Sequence, residues 1–433
     1  MAAIETHVLK VRSSVDGREI PYHVSAPKPL PKTPLPLVFL LHDSLADPSA
    51  GAFIEETFRA AANWNKAMAD GSPGLLVQSW GRGNGAWFGA GGRALFDVWE
   101  QVQDQFVVTA KAAVIGMGAG GTGALQLAAQ LPDHFCAVSA INPWVDERLE
   151  LEIGAAQAPA WESDARAQIR PVDLAPRLTK PAISLARAST GDALGDVVCK
   201  RHFRAMAAAL EGHELWWRDL SVRARGFGDR AELDVAAHWE FAASPRNNES
   251  SNEWRWPEFP DGLFWRPATI VVGTLGETDE TEVIRHLAER MRDRWLRGED
   301  SNGVAQGDLR LIQDVTIIED VQAAADHPAG DLVVLGAPRL NLLAAKWANR
   351  LEVAWPNEGA DDFSVLGRAF TNPRALAVVR SARPDGENGS VWVVTAPSLE
   401  GWVDVDRLRF SFLPDVFVQA KPGEELWMNR EES

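Results

Sequence analysis

The sequence predicts an α/β protein in two domains: a doubly wound, mostly parallel sheet, then a second, smaller α/β unit. Three observations carry that expectation. Ala112 to Pro143 reads as strand, tight glycine turn, helix and second strand in unbroken succession. Short apolar runs such as PLVFLLHDS (36–44), ATIVVGT (268–274) and DLVVLGAP (331–338) have the continuous character of strands buried on both faces. Between the two groups of strands, Ser244 to Pro267 is polar, proline-bearing and aperiodic, as a linker would be. The expected division is therefore 1–243, a linker 244–267, and 268–433.

Taken in order, residues 5–25 alternate in strand fashion, with Asp16-Gly17 as a hairpin turn. The proline-rich stretch Pro27 to Pro36 leads into the first buried strand. A helix near Ala52 to Met68, a strand Gly74 to Ser79, the loop GRGNGAWFG (81–89) and an amphipathic helix through Phe96 and Trp99 precede the glycine turn. Beyond it come a strand Pro181 to Ala186, a turn Ser189 to Asp196, a helix Val197 to Leu210 and a strand Leu215 to Val222. In the second unit, Val283, Ile284, Leu287, Ala288, Met291 and Trp295 share one face of a helix over Asp279 to Leu296.

Composition narrows the function classes. With 43 basic against 60 acidic residues the chain carries −17, which argues against nucleic acid or an anionic membrane as partner. The two cysteines, Cys136 and Cys199, make no disulfide framework and read as buried fillers. The N-terminal stretch has no apolar core of signal type and no run approaches 18 apolar residues, so a cytoplasmic location is the expectation. No cofactor and no metal are expected.

The turn after Val114-Ile115 fits two chemistries. Gly116, Gly118 and Gly121 match the dinucleotide fingerprint G-x-G-x-x-G, whose glycines let a pyrophosphate approach a helix N-terminus. Gly116, Gly118 and Gly120 match the nucleophile elbow G-x-S-x-G, with glycine in the serine's place. The dinucleotide reading wants an acidic residue at the tip of the next strand. Phe135 to Ile141 ends in Asn142-Pro143-Trp144 instead, and Asp146 comes too late. A nucleotide-binding oxidoreductase thus stays as a second alternative, resting on glycine spacing alone.

The segment GGTGALQLAAQLPDHFCAVSAINP (120–143) resembles the stretch following the nucleophile in the α/β-hydrolase superfamily, specifically its prolyl-oligopeptidase-like and esterase branch. Gly120, Gly121, Gly123, Ala124, Leu125, Pro132, Asp133 and Phe135 match, and the G-R-G-N-x-x-W-x-G loop is similar to the loop preceding the elbow there. Residues 266–418 resemble the C-terminal segment of certain large bacterial members, through Val271 to Thr274, Asp331 to Asn341, Phe370 to Pro373 and Leu413 to Asp415.

That resemblance implies an α/β-hydrolase-like sheet and a cleft lined by His42, Asp43, Arg82, Asn84, Trp87, Met117 and Ala119. It also implies a triad, and the triad positions are degenerate. Gly118 stands for the nucleophile, and Arg225 for the histidine of G-x-G-H-G-F; Asp192 or Asp196 would be the acid. An arginine cannot act as general base at neutral pH, because its pKa lies above about 12 and it has no acceptor. Asp43, following His42 where the family has H-G, would oppose the negative charge an oxyanion hole stabilises. The expectation is a pseudo-hydrolase that binds a small-molecule or peptide-like ligand or a protein partner. The alternative is an active esterase or peptidase using groups not located, with Ser139, Thr122, His213 and His238 read as structural.

Overall fold

The structure, a computed structural model, describes residues 3–428 apart from 44, 46–48, 84–86, 88, 147, 152–166, 189–192, 212–216, 220–233, 245–264, 298–313, 357–361, 403–404, 406–407, 409–412 and 422–423. The described residues divide into two compact units, the first within residues 3–244 and the second within residues 265–428. Most of the stretch read as a linker lies outside the described residues.

In the first unit β1 (Ala3–Arg12) and β2 (Glu19–Lys28) form a hairpin, followed by β3 (Leu35–Leu41), α1 (Ala50–Asp70) and β4 (Leu75–Ser79). Next come α2 (Ala90–Gln105), β5 (Val108–Met117), α3 (Ala119–Gln130), β6 (Phe135–Ile141), β7 (Ala182–Ala186), α4 (Ala193–Ala209), β8 (Trp217–Asp219) and α5 (Val235–Ala242). They build an eight-stranded sheet of order β1-β2-β4-β3-β5-β6-β7-β8. Strands β3 to β8 run parallel, while β1 and β2 are antiparallel additions at one edge.

Alternate side chains serve opposite faces. Val38 and Leu40 of β3 join Trp64, Ala67 and Met68 of α1 and Trp239 of α5 in one core cluster. Phe39 between them meets Trp99 of α2, ring centroids 5.3 Å apart. Helix α3 packs over β3, β5 and β6, and its residues Gly120 to Ala129 are all buried. Beyond the predicted boundaries, β5 begins at Val108, well before the apolar pair Val114-Ile115. Helix α4 begins at Ala193, so Asp196 lies in its first turn, where a carboxylate suits the dipole, and not in the preceding turn.

The second unit holds β9 (Ala268–Val272), α6 (Thr278–Arg297), β10 (Thr316–Glu319), α7 (Asp320–Asp326), β11 (Asp331–Leu335) and α8 (Leu342–Trp347). A small sheet of β12 (Val353–Ala354), β13 (Phe363–Val365) and β14 (Arg368–Phe370) follows, then β15 (Leu376–Ala382), β16 (Ser390–Thr395), the short helix α9 (Leu399–Trp402), β17 (Val416–Lys421) and β18 (Glu424–Met428). The main sheet has the order β10-β9-β11-β16-β15-β17-β18, parallel from β10 to β16 and antiparallel beyond. The runs ATIVVGT and DLVVLGAP form β9 and β11 as expected, while LAVVRSA and SVWVVT, unmarked in the sequence reading, form β15 and β16.

The Gly-Thr-x-Gly turn after β9 is closed by its own chain. A Cβ on Gly273 would strike the Leu340 carbonyl, and Leu275 N–H donates to that carbonyl at 3.0 Å. Asp320, fully buried, accepts from Thr274 N–H and Oγ1 and from the Val321 and Leu342 amides, tying three loops together. Among the described residues no helix is long and apolar enough to cross a membrane.

Candidate functional site

The winding of the first sheet fixes where a site can sit. From β3 the chain steps outward to β4, then crosses back over β3 to β5 and continues the other way. The crevice outside the carboxyl ends of strands at such a reversal is where open α/β sheets place their ligands. Here it is bounded by the loop after β3, with His42 and Asp43, and by the turn after β5, with Met117, Gly118 and Ala119.

Gly118 occupies this turn with φ 52° and ψ −117°, a conformation that strains any residue carrying a Cβ. Its N–H donates to Ile141 O at 2.9 Å, and its carbonyl accepts from Thr122 N–H at 3.0 Å. Thr122 Oγ1 in turn bonds both the Trp144 carbonyl and the Trp144 amide, each at 2.8 Å, which fastens α3 to the loop after β6.

Asp43 reaches across from the β3 loop into the elbow. Its Oδ1 accepts from Ala119 N–H at 2.9 Å. A Cβ built on Gly118 would overlap the Asp43 carboxyl carbon and both its oxygens, all closer than the 3.0 Å that real Cβ atoms respect. The amide following the nucleophile is an oxyanion-hole donor in a working elbow. One carboxyl group therefore lies where a side chain at residue 118 would project and accepts from the amide that follows it. A carboxylate beside an unsatisfied helix-start amide is favourable by roughly 0.3–1 kcal/mol, so the arrangement stabilises α3 in place of a side-chain cap at residue 118.

His42 is committed to the backbone. Its Nδ1 faces Asp43 O at 2.6 Å and its Nε2 faces Trp80 O at 3.0 Å, while its ring lies between Phe53 and Trp87. Trp87 is buried under the loop: Cβ atoms on Gly81 or Gly123 would strike its ring or side-chain stem, and its Nε1 donates to His42 O at 3.4 Å.

Arg82, expected in the cleft, is turned away from it. Its guanidinium is 1% exposed, donates to both Asp16 oxygens at 2.6 and 2.7 Å and to Ser13 Oγ at 2.6 Å, and so anchors the β1–β2 hairpin. A buried guanidinium needs a carboxylate, and Asp16 supplies it. Met117 and Ala119 are half-buried beside Gly118. Asn84, Asp192 and Arg225 lie outside the described residues.

The other glycines serve close packing. A Cβ on Gly116 would strike the Gly120 carbonyl, and one on Gly120 would strike the Leu41 and His42 carbonyls. Of the G-x-G-x-x-G glycines, Gly116 is crowded by the Gly120 carbonyl, Gly118 by the Asp43 carboxyl group, and Gly121 meets the Ile141 carbonyl at 3.0 Å, so each is packed against this chain.

A serine–histidine hydrogen bond exists elsewhere in this unit. Ser139 Oγ and His238 Nδ1 are 2.6 Å apart, and Ser184 Oγ donates to Ser139 Oγ at 2.7 Å. All three side chains are fully buried, on the face of the sheet covered by α1 and α5. Ser184 donates to Ser139, which leaves the Ser139 hydroxyl hydrogen for Nδ1; in that arrangement the ring proton is on Nε2, which has no hydrogen-bond partner among the described residues. Burial pushes the His238 pKa down to about 4, against a smaller upward pull from Asp234, so the ring is neutral. Sequence reasoning took both residues as structural; their mutual contact, across 99 residues of chain, carried no local signal. Among the described residues no group of three or more His, Cys, Asp or Glu side chains is placed to hold a metal ion.

Residues 97–217 match the Esterase family model, described as "Putative esterase". No curated protein sequence matches the chain. Among solved structures the chain is similar to a ferulic acid esterase, at 18% identity over 56% of this chain and 97% of that one, with a TM-score of 0.40. It is similar also to an S-formylglutathione hydrolase from Agrobacterium tumefaciens, at 14% identity over 55% and 93%, TM-score 0.41. A prolyl endopeptidase is similar at 20% identity over 50% of this chain and 34% of its own, TM-score 0.36.

Proposed function

We propose that this member of the α/β-hydrolase superfamily, esterase-like over residues 97–217, has left serine-hydrolase chemistry and serves as a binding module for a small or peptide-like ligand or a protein partner. The observation that carries the reading is the Asp43 carboxyl group lodged in the elbow, against Gly118 and on Ala119 N–H. A hydrolase stripped of nucleophile and base still keeps about 10³–10⁴-fold over water from its oxyanion hole and binding contacts. Here the Ala119 donor is engaged as well, and losing one such donor costs about 10²–10³ in turnover. Arg225 at the position that the resemblance assigns to the base adds to this, since a guanidinium accepts no proton.

The runner-up, an active esterase or peptidase, has one observation in its favour: the Ser139–His238 hydrogen bond. Full burial of both side chains speaks against it, because an attacking hydroxyl must reach a carbonyl. A fluorophosphonate probe followed by intact mass separates the two. No adduct is expected on the native protein. A stoichiometric adduct would overturn the proposal, and its loss in Ser139→Ala would give the activity to the buried pair.

A further inference from the structure

We infer that Asp43 and Gly118 form a two-residue latch, in which each residue holds the other in its non-catalytic identity. The inference rests on the reading above and concerns how the elbow is kept in that state. Gly118 accommodates this contact, because the exposed Asp43 carboxyl group occupies the volume into which any Cβ at that position would project, and a side chain there must displace it. The Asp43 carboxyl group in turn lies in the space that residue 118, lacking a side chain, leaves open. There its Oδ1 accepts from the first amide of α3, at the end of a loop that leaves β3 76 residues earlier. The two loops belong to the two strands flanking the reversal of the sheet, so the contact bridges the crevice itself. A return to serine at 118 alone drives the hydroxymethyl group into a carboxylate. Loss of the carboxylate alone leaves the Ala119 amide without that acceptor. Asp43 therefore acts as an autoinhibitory contact, shutting the crevice to an acyl group that would need the same amide.

Stability measured on four proteins tests the latch: native, Asp43→Ala, Gly118→Ser and the double variant. The positive φ penalises a side chain at 118 equally in both backgrounds, so it cancels in the comparison. Asp43→Ala is expected to lower the melting temperature of the native protein but to raise that of Gly118→Ser, a reversal of sign. Asp43→Asn, which keeps the bulk of the side chain and removes its charge, is expected to give no such rescue of Gly118→Ser. Should Gly118→Ser fail to fold, Gly118→Ala carries the same Cβ, and recovery of folded protein on adding Asp43→Ala is the readout. If Asp43→Ala lowers both melting temperatures alike, or if Asp43→Asn rescues as well as alanine, the steric latch is wrong. Neither result bears on the fluorophosphonate experiment, which concerns the native protein's chemistry.

Discussion

Acidification should loosen the first unit through a single buried ring. His238 is fully buried and neutral, with Nδ1 accepting from Ser139 and its pKa pushed down by burial from 6.5 to about 4. An unfolded histidine takes its proton near pH 6.5, so between pH 6.5 and 4 the unfolded chain binds more protons than the folded one. Stability therefore rises with pH across that window. The penalty is absent above about pH 6.5, grows as pH falls and is complete below about 4. At about 1.36 kcal/mol per pH unit it amounts to about 3 kcal/mol, a large part of the roughly 5–15 kcal/mol that holds a domain folded. His238→Asn keeps an acceptor for the Ser139 hydroxyl and cannot take up the proton. Hydrogen-exchange protection of peptides spanning β6 and α5, followed through urea at pH 7 and at pH 4, isolates this region from the second unit. The native protein should lose about 3 kcal/mol more than His238→Asn between the two pH values. Parallel losses in the two proteins would refute the assignment of the acid limb to this ring.

Asp16→Ala strands a guanidinium that is 1% exposed and should cost about 3–5 kcal/mol in urea unfolding of the first unit, against under about 1 kcal/mol for loss of the exposed Lys10–Glu19 pair. In the second unit, burial pushes the Asp385 pKa up, but hydrogen bonds and charge from Arg383 and a bond from His327 outweigh it and hold the carboxyl at about 2. Its depressed pKa gives about 2 kcal/mol that is present above pH 3.8 and lost as pH falls through 2; Asp385→Asn should remove that acid limb. Burial raises the Cys136 thiol to about 12, so it should resist a thiol reagent at pH 8 in the folded protein and react promptly in denaturant.

The glycine turn, the strands around it and the order strand, loop, helix, elbow were legible because each is a local matter. Continuous apolar runs mark buried strands, and a backbone that must double back tightly has to be glycine wherever carbonyls crowd it, as Gly116 and Gly120 are crowded. Likewise the sequence alone shows glycine at 118, where the resemblance expects a serine. Boundaries were less legible: β5 extends back through Thr109 and Lys111, which no apolar pattern marks, and β15 to β18 lie after turns that broke the periodicity.

The sequence by itself determined that residue 118 carries no hydroxyl and that the chain is built of two α/β units. Only the tertiary structure decided what stands in the hydroxyl's place. Asp43 lies 76 residues before Ala119, Asp16 lies 66 before Arg82, and Ser139 lies 99 before His238. Whether a side chain lines a cleft, plugs it or turns into the core depends on which strands become neighbours. The reversal of the sheet between β3 and β5 makes those two loops meet, and an aspartate read in isolation carries no record of the turn it will face.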